Sequence, residues 1–239
     1  MTKNLHIFED NPGVAAAFAE WLAQWLERKD KATIALSGGS TPQLLFQVLS
    51  EQYSDRIDWS VVHFFWGDER CVSPDNPESN FGMTRDLLLK NIDIPQSNIH
   101  RVRGEANPQA EAPRYGEEIR RRVDPGAEGL PQFDLIILGM GSDGHTASIF
   151  PHQMELLTSS KICAIAIHPE SGQHRISLTG PVINAAAQVA FLVTGESKQE
   201  KVSAILQKQG NYLDYPSAHI HPTSGALHWF LDRAAAAGL

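Results

Sequence analysis

The chain is poor in the features that would place it outside the cytoplasm. It has only two cysteines, Cys71 and Cys163, which are too few for a disulfide framework. The opening residues, MTKNLHIFEDN, lack the apolar stretch of a secretory signal. No run approaches the roughly 18 apolar residues that a membrane-spanning helix requires. We therefore expect a soluble, cytoplasmic protein.

Positive charge is also scarce. The 20 lysines and arginines face 28 acidic side chains, which gives a formal net charge of −8. This field repels polyanions, so nucleic acid and anionic membranes are not expected as partners, and an anionic ligand needs a local basic site. With 239 residues, 42% of them hydrophobic, the chain can bury a large core. We expect a single domain over residues 1–239 and a monomer or weak homodimer.

Apolar strand patterns alternate with helical patterns along the chain. Buried strands are predicted for ATIAL (32–36), VVHFFW (61–66), FDLIILG (133–139) and VAFLVT (189–194), and further strands at 99–102, 161–168, 175–179 and 226–231. Helices are predicted from Asn11-Pro12, from Thr41-Pro42, near 83–89, around 108–123, in an Ala-rich segment before 189 and through 202–206. This alternation predicts an α/β fold: an open, mostly parallel, modified Rossmann-like sheet with helices on both faces.

The strand 133–139 ends in a glycine-rich turn that carries Asp143 and His145, and we expect a helix of about two turns to follow before Pro151. Such a turn lies in the crevice where open α/β sheets bind ligands. Imidazole titrates near neutrality and can take a proton from water, so His145 is the strongest candidate for a general base. Either Asp143 or Asp68 could hold its ring in the reactive tautomer.

Two other interpretations of this turn are disfavoured. Gly139, Gly141 and Gly144 match the G-x-G-x-x-G spacing of a dinucleotide-binding turn. However, the following helix is short, no acidic residue ends the next predicted strand, and the turn comes past the middle of the chain. A serine nucleophile is disfavoured because Met140 stands where the G-x-S-x-G motif around Ser142 needs glycine. A water nucleophile is therefore preferred.

A second glycine-rich turn is typical of an anion site. It follows a predicted strand and opens a helix, so its amides and hydroxyls converge at the positive helix end. It consists of Ser37, Gly38, Gly39, Ser40 and Thr41. The alternative is an ordinary helix cap. Because the Gly-Lys-Ser/Thr ending of a P-loop is missing, a monophosphate fits better than a triphosphate with magnesium.

Charged side chains at other strand ends could complete this site. Asp68 and Arg70 follow the strand 61–66 and should reach the same sheet edge. Arg70 could clamp phosphate or face an oxyanion, and Asp68 is expected to touch the ligand. Asp68 and Glu69 could instead be salt-bridge partners or helix caps, and for Glu69 this simpler explanation is equally good. Arg175 and Lys198 are further candidates for the anion site, or else solvated charges.

Histidines elsewhere give no clear metal site. His219 and His221 have the spacing of two side chains on one strand face, but no acidic or cysteine cluster accompanies them, and we expect no metal. The remaining candidates are expected to be surface or satisfied core residues: His6, His63, His100, His152 and His228.

The motifs taken together resemble those of the 6-phosphogluconolactonase family. They are SGGSTP (37–42), GDERCV (67–72), SNFGM (79–83), GSDGHTASIFP (141–151), HRISLTGPVINAA (174–186) and the residues 195–198. The resemblance runs from the first helix almost to the C-terminus. The related glucosamine-6-phosphate isomerase/deaminase group shares the anion turn and the sheet, but its motifs differ around the catalytic turn.

This resemblance implies hydrolysis of 6-phospho-D-glucono-1,5-lactone to 6-phosphogluconate, the second step of the oxidative pentose phosphate pathway, without metal or organic cofactor. It implies that His145 is the general base, that residues 37–41 bind phosphate, and that Arg70, Arg175 and Lys198 are basic contacts. An isomerase or deaminase on the same scaffold and a non-catalytic sugar-phosphate sensor remain alternatives. The sensor is disfavoured because no basic helix-turn-helix segment flanks the domain.

Overall fold

The computed structural model describes residues 3–239, and its centre is a six-stranded parallel sheet. The strands are β1 (Lys3–Phe8), β2 (Ala32–Leu36), β3 (Val62–Trp66), β4 (Asp68–Arg70), β5 (Leu135–Leu138), β6 (Cys163–Ile167), β7 (His174–Leu178), β8 (Gln188–Val193) and β9 (Ala226–Asp232). The central sheet has the order β1-β9-β8-β5-β2-β3, and all its neighbouring strands run parallel. The predicted open α/β sheet is confirmed.

Helices connect these strands. They are α1 (Asn11–Leu26), α2 (Ser40–Gln52), α3 (Asn80–Leu87), α4 (Pro108–Arg122), α5 (Gly180–Ala185), α6 (Gln199–Gln207) and α7 (Arg233–Ala236). At the start of α1 the Asp10 carboxylate accepts from the amide of Gly13 at 2.8 Å, and Pro12 lies in the first turn, where its missing N–H costs nothing. The buried apolar side chains form one hydrophobic cluster. None of the described helices combines the length and apolar character needed to cross a membrane.

A second, antiparallel sheet was not predicted. It has the order β4-β7-β6. Its first strand, Asp68–Arg70, is three charged residues long and was expected to be a loop after β3. Such a strand has no hydrophobic alternation that would mark it in the sequence. It forms because its backbone pairs with β7. The edge strand β1 was also missed.

Two predicted elements are absent. The strand expected at 99–102 is reduced to a single bridge between Ile99 and Phe64. The prediction of a helix after His145 was also wrong. Thr146 and Ile149 close a turn instead, and a 3₁₀ segment, Pro151–Leu157, follows. Ala147 has a φ of +48°, in the left-handed region, so a right-handed helix cannot run through it.

Candidate active site

The predicted site residues converge on one cavity of about 230 Å³ at the carboxyl edge of the parallel sheet. Its walls include Ser37, Gly38, Gly39, Ser40, Thr41, Asp68, Arg70, His145, Arg175 and Lys198. Asp143 is not among the lining residues, but its carboxylate is bonded to the ring of His145. The strand ends that sequence patterns pointed to therefore meet at one place.

The anion turn opens α2 without a side-chain cap. Gly39 is the residue before the helix, with a φ of +108° that favours glycine, and no side chain bonds to the first helical amides. Gly38 is required for a different reason: a methyl group there would collide with the side chain of Asn80. The hydroxyls of Thr41 and Thr194 lie 2.8 Å apart, which joins the turn to the end of β8. Helix-end amides are thus left for a ligand.

The catalytic candidate His145 is held by Asp143. Its Nδ1–H donates to Asp143 Oδ1 at 2.6 Å, and its backbone amide donates to the same oxygen at 3.1 Å. Burial disfavours the ionised carboxylate, but the hydrogen bond and charge of His145 outweigh it and lower the pKa of Asp143 to about 2. Asp143 is therefore ionised near neutrality, which keeps the proton on Nδ1 and leaves Nε2 as the basic nitrogen. The carboxylate of Asp68, the other candidate, accepts instead from the hydroxyl of Ser148.

The turn around His145 is fixed by its own backbone. The amide of Gly141 donates to the carbonyl of His145 at 2.9 Å, and the amide of Gly144 donates to the carbonyl of Gly141 at 3.1 Å. Gly144 has a φ of +82°, and its carbonyl accepts from both the amide and the hydroxyl of Ser217, at 3.0 and 2.8 Å. The amides of Gly141, Gly144 and His145 therefore already donate within the turn. Arg70, whose Nε has no partner, is the better oxyanion donor.

Three cations border the cavity and form no ion pair with any carboxylate of residues 3–239. Arg70 and Arg175 are register partners on β4 and β7, and the Nε atoms of both are buried without a hydrogen-bond partner. Arg70 donates to the carbonyl of Glu78, and the guanidinium of Arg175 lies over the ring of Phe150. Burial lowers the pKa of Lys198 and of Arg175. Because like charges directly opposite repel, this arrangement favours an anion between them.

The two acidic residues of β4 have different roles. Asp68 is buried, and its carboxylate accepts from the Ser148 hydroxyl at 2.6 Å. Glu69 caps α3, as the simpler alternative proposed, and its carboxylate accepts from the amides of Arg70, Asn80 and Phe81 and from the hydroxyl of Ser79. That cap places Asn80, whose side-chain amide donates to the carbonyl of Asp68.

Sequence reasoning missed several lining residues. Asn80 was seen only inside the motif SNFGM, and the Ser79 cap of α3 is the signal that could have placed it at a helix start near the site. The apolar wall was also missed; it includes Met140, Ala147, Leu192 and Val193. Apolar residues at strand ends carry no mark that separates lining from core.

His219, one of the two histidines considered for a metal site, has another partner. His219 lies in a 3₁₀ segment, and not on a strand, where its Nε2 is 2.7 Å from the carbonyl of Leu213. Among the residues that the structure describes, no group of three or more His, Cys, Asp or Glu side chains could hold a metal ion.

An open-sheet α/β protein with a cationic cleft at the carboxyl ends of its strands is the class that the fold and the geometry define. The chain belongs to the glucosamine-6-phosphate isomerases/6-phosphogluconolactonase family, whose model matches residues 11–229. The resemblance indicated by the motifs is thereby confirmed.

Two curated relatives and one solved structure illustrate the similarity. A 6-phosphogluconolactonase of Haemophilus influenzae is 48% identical over 203 residues, covering 84% of this chain and 85% of the relative. One from Aggregatibacter actinomycetemcomitans is 47% identical over 206 residues, covering 86% of each. The solved structure of 6-phosphogluconolactonase from Trypanosoma brucei has a TM-score of 0.89 at 26% identity and covers 100% of this chain and 99% of that one.

Proposed function

We propose that the protein is a 6-phosphogluconolactonase, a lactone hydrolase that converts 6-phospho-D-glucono-1,5-lactone to 6-phosphogluconate in the cytoplasmic oxidative pentose phosphate pathway. The observation that carries this proposal is that His145, held by Asp143, lines the same cavity as the uncapped anion turn and the cations without ion pairs. The names of the relatives support the same substrate.

In this mechanism the phosphate binds to the amides at the start of α2 and to the cations Arg175 and Lys198, while Arg70 serves the reacting carbonyl at the other end of the substrate. Helix-end amides and unpaired guanidinium groups suit a dianion, because each supplies N–H donors that no protein carboxylate occupies. The bound phosphate fixes the lactone ring, so remote binding energy is converted into orientation of its carbonyl carbon towards His145. Asp68, buried beside these cations, is available for a sugar hydroxyl.

The chemical step then uses one base and one water molecule. His145 Nε2 takes a proton from water as the water oxygen bonds to the lactone carbonyl carbon, and the carbonyl electron pair moves to its oxygen. Collapse of this oxyanion breaks the bond to the ring oxygen, which receives the proton back from the imidazolium. The carboxylic acid product then ionises and releases one proton. Asp143 keeps the His145 imidazole in the required tautomer throughout.

The oxyanion needs a positive partner. Since most amides of the turn 141–145 are engaged within the turn, we assign this contact to a guanidinium, with Arg70 the first choice. A preorganised donor at this position typically contributes on the order of 10²-fold or more to kcat. A lactone is already a reactive ester, so one base and one such contact suffice for this proposal.

His145→Asn is the decisive variant. We expect kcat for the phosphorylated lactone to fall by about 10²-fold or more, because the base is lost, while the Kd of 6-phosphogluconate stays near that of the parent protein. Proton release should be followed on freshly generated lactone and corrected for its spontaneous opening. His221→Asn, at an exposed histidine outside the cavity, is the matched control. Unchanged turnover in His145→Asn would remove His145 from the mechanism.

The family also contains glucosamine-6-phosphate isomerases, so the substrate class needs its own test. The parent protein should release no ammonia from glucosamine 6-phosphate under conditions in which it hydrolyses the lactone. Ammonia release without lactone hydrolysis would replace the proposed reaction with deamination.

A further inference from the structure

A single buried phenyl ring contacts both the catalytic candidate and the most buried cation of the cavity. Phe150 is fully buried. Its ring centroid lies 4.8 Å from that of His145, and the guanidinium carbon of Arg175 lies 5.7 Å from it. Two further imidazoles contact the same ring, His168 at 5.4 Å and His152 at 5.8 Å. Four groups that can carry positive charge thus surround one aromatic side chain.

The guanidinium of Arg175 has few other contacts. The residue is 9% exposed, forms no ion pair within the described chain, and its Nε has no hydrogen-bond partner. Its pKa is lowered by burial, and the nearby charge of Asp68 opposes that effect. The face of an aromatic ring carries partial negative charge and attracts a cation within about 6 Å of its centroid. Phe150 therefore supports the guanidinium without using any of its N–H donors.

The proposed reaction places a second charge beside this ring. When His145 takes the proton from water it becomes an imidazolium, next to Phe150 and in the same cavity as the permanent charge of Arg175. Asp143 faces the imidazolium from the turn, and Asp68 faces the guanidinium from β4. The phenyl ring of Phe150 contacts both His145 and Arg175.

Of the other two imidazoles, His168 adds no permanent charge to this group. The Nδ1 of His168 accepts from the backbone amides of Glu170 and Ser171, both at 3.3 Å, which requires that nitrogen to be unprotonated. Burial and the charge of Arg175 lower the pKa of His168. His152 is exposed to solvent.

We infer that Phe150 is a positioning residue for catalysis: its π face holds the guanidinium of Arg175 and the transient imidazolium of His145 in a fixed relation. The inference rests on the proposed lactonase function. It predicts that the electron density of the ring, and not only its volume, affects the rate of the chemical step.

Site-specific replacement of Phe150 by phenylalanine carrying one, two or three ring fluorines tests this prediction. Each fluorine weakens the negative face while changing the ring size little. We expect kcat to fall stepwise with fluorination, by about two- to thirtyfold over the series, while the unfolding midpoint in urea stays close to that of the parent protein. A purely structural role would not produce this ordered loss.

The same series at Phe133 is the matched control. Phe133 is also fully buried and packs edge-to-face on Phe65 at 5.3 Å, and no cation of the described residues lies over its ring. The kcat of the variants fluorinated at Phe133 should equal that of the parent protein. A flat kcat series at Phe150, or equal losses at the two positions, would overturn the inference. Failure of the parent protein to hydrolyse the lactone would instead overturn the proposed function, and is measured first.

Discussion

Positive side chains around the cavity and on α4 differ in whether they form ion pairs. Ion pairs one helical turn apart join the arginines of α4 to neighbouring glutamates: Arg114–Glu111 at 2.6 Å, Arg120–Glu117 at 2.8 Å, Arg121–Glu117 at 3.3 Å and Arg122–Glu118 at 3.5 Å. Around the cavity, Arg70, Arg175 and Lys198 have no such partner in the described chain. The absence of ion pairs to these cations, and not the density of positive charge, therefore marks the anion site.

The same two regions each contain a carboxylate–imidazole pair. On α4, Glu118 lies 3.1 Å from His100 Nδ1, and the other ring nitrogen of His100 lies 3.2 Å from His63. At the cavity, Asp143 is 2.6 Å from His145 Nδ1, and the imidazole borders open space. The second nitrogen is satisfied by a neighbour in one pair and is available in the other. The pair alone does not make a catalytic site.

Exchanging each carboxylate for its amide should give the largest contrast. Asp143→Asn removes the charge that stabilises the imidazolium and frees the ring to adopt the wrong tautomer, so we expect kcat to fall by about 10²- to 10⁴-fold. Glu118→Gln should leave kcat unchanged, because His100 takes no part in the reaction. Steady-state kinetics on the phosphorylated lactone measure both. Equal losses would show that the two pairs do not differ in role.

Removing one arginine from each region should change the free energy of unfolding in opposite directions, and only the cavity variant should lose activity. Arg175→Met removes the anion contact, and we expect kcat/KM to fall by about 10²- to 10³-fold. The same change removes a buried charge that has no ion pair, so the free energy of unfolding should rise by about 1 kcal/mol. Urea unfolding of the ligand-free protein tests this sign.

Arg114→Met is the counterpart on α4. It leaves the buried carboxylate of Glu111 without its bidentate partner, so the free energy of unfolding should fall by about 2 kcal/mol while kcat/KM is unchanged. If Arg175→Met destabilised the free protein as Arg114→Met does, the cavity guanidinium would be a structural residue.

The sheet and the convergence of the site could be predicted from the sequence because both depend on strong local patterns. Continuous apolar runs such as 133–139 and 189–194 mark strands buried on both faces, and parallel strands bring their carboxyl ends to one edge. That rule alone brought residues 37–41, Arg70, His145 and Lys198 together. Arg175 reaches the cavity by a route that the rule does not include, through the antiparallel pairing of β7 with β4.

The contacts that decide chemical roles could not be predicted. Asp143 and Asp68 were equal candidates to orient His145, because the choice depends on turn geometry that spacing does not specify. In the structure Asp143 bonds to the imidazole two residues further along the chain, whereas Asp68 bonds to Ser148. The helix expected after His145 failed for a related reason: Ser148 is held by Asp68 and by the hydroxyl of Ser177, which are tertiary contacts with no local signal.

The smallest predicted effect concerns the histidine pair beside α4. Burial lowers the pKa of His63, and it lowers the pKa of His100 despite the opposing influence of Glu118. Below a pH of about 6.5 the unfolded chain therefore binds protons that the folded chain does not, so the free energy of unfolding falls as the pH decreases from 7 to 5. Since solvent screens this half-buried pair, we expect a contribution of about 1 kcal/mol or less. Above that range the pair adds no pH dependence.

Urea unfolding at a series of pH values measures this slope, and His63→Gln should reduce it without removing it. A remainder is expected because the His6–His228 pair, at the opposite edge of the sheet, also has pKa values lowered by burial and acts in the same direction. Glu118→Gln should steepen the slope, since Glu118 is the group that favours protonated His100 in the folded state. A slope that is unchanged in His63→Gln and shallower in Glu118→Gln would mean that the α4 pair is charged in the folded protein, which would reverse the contrast with His145.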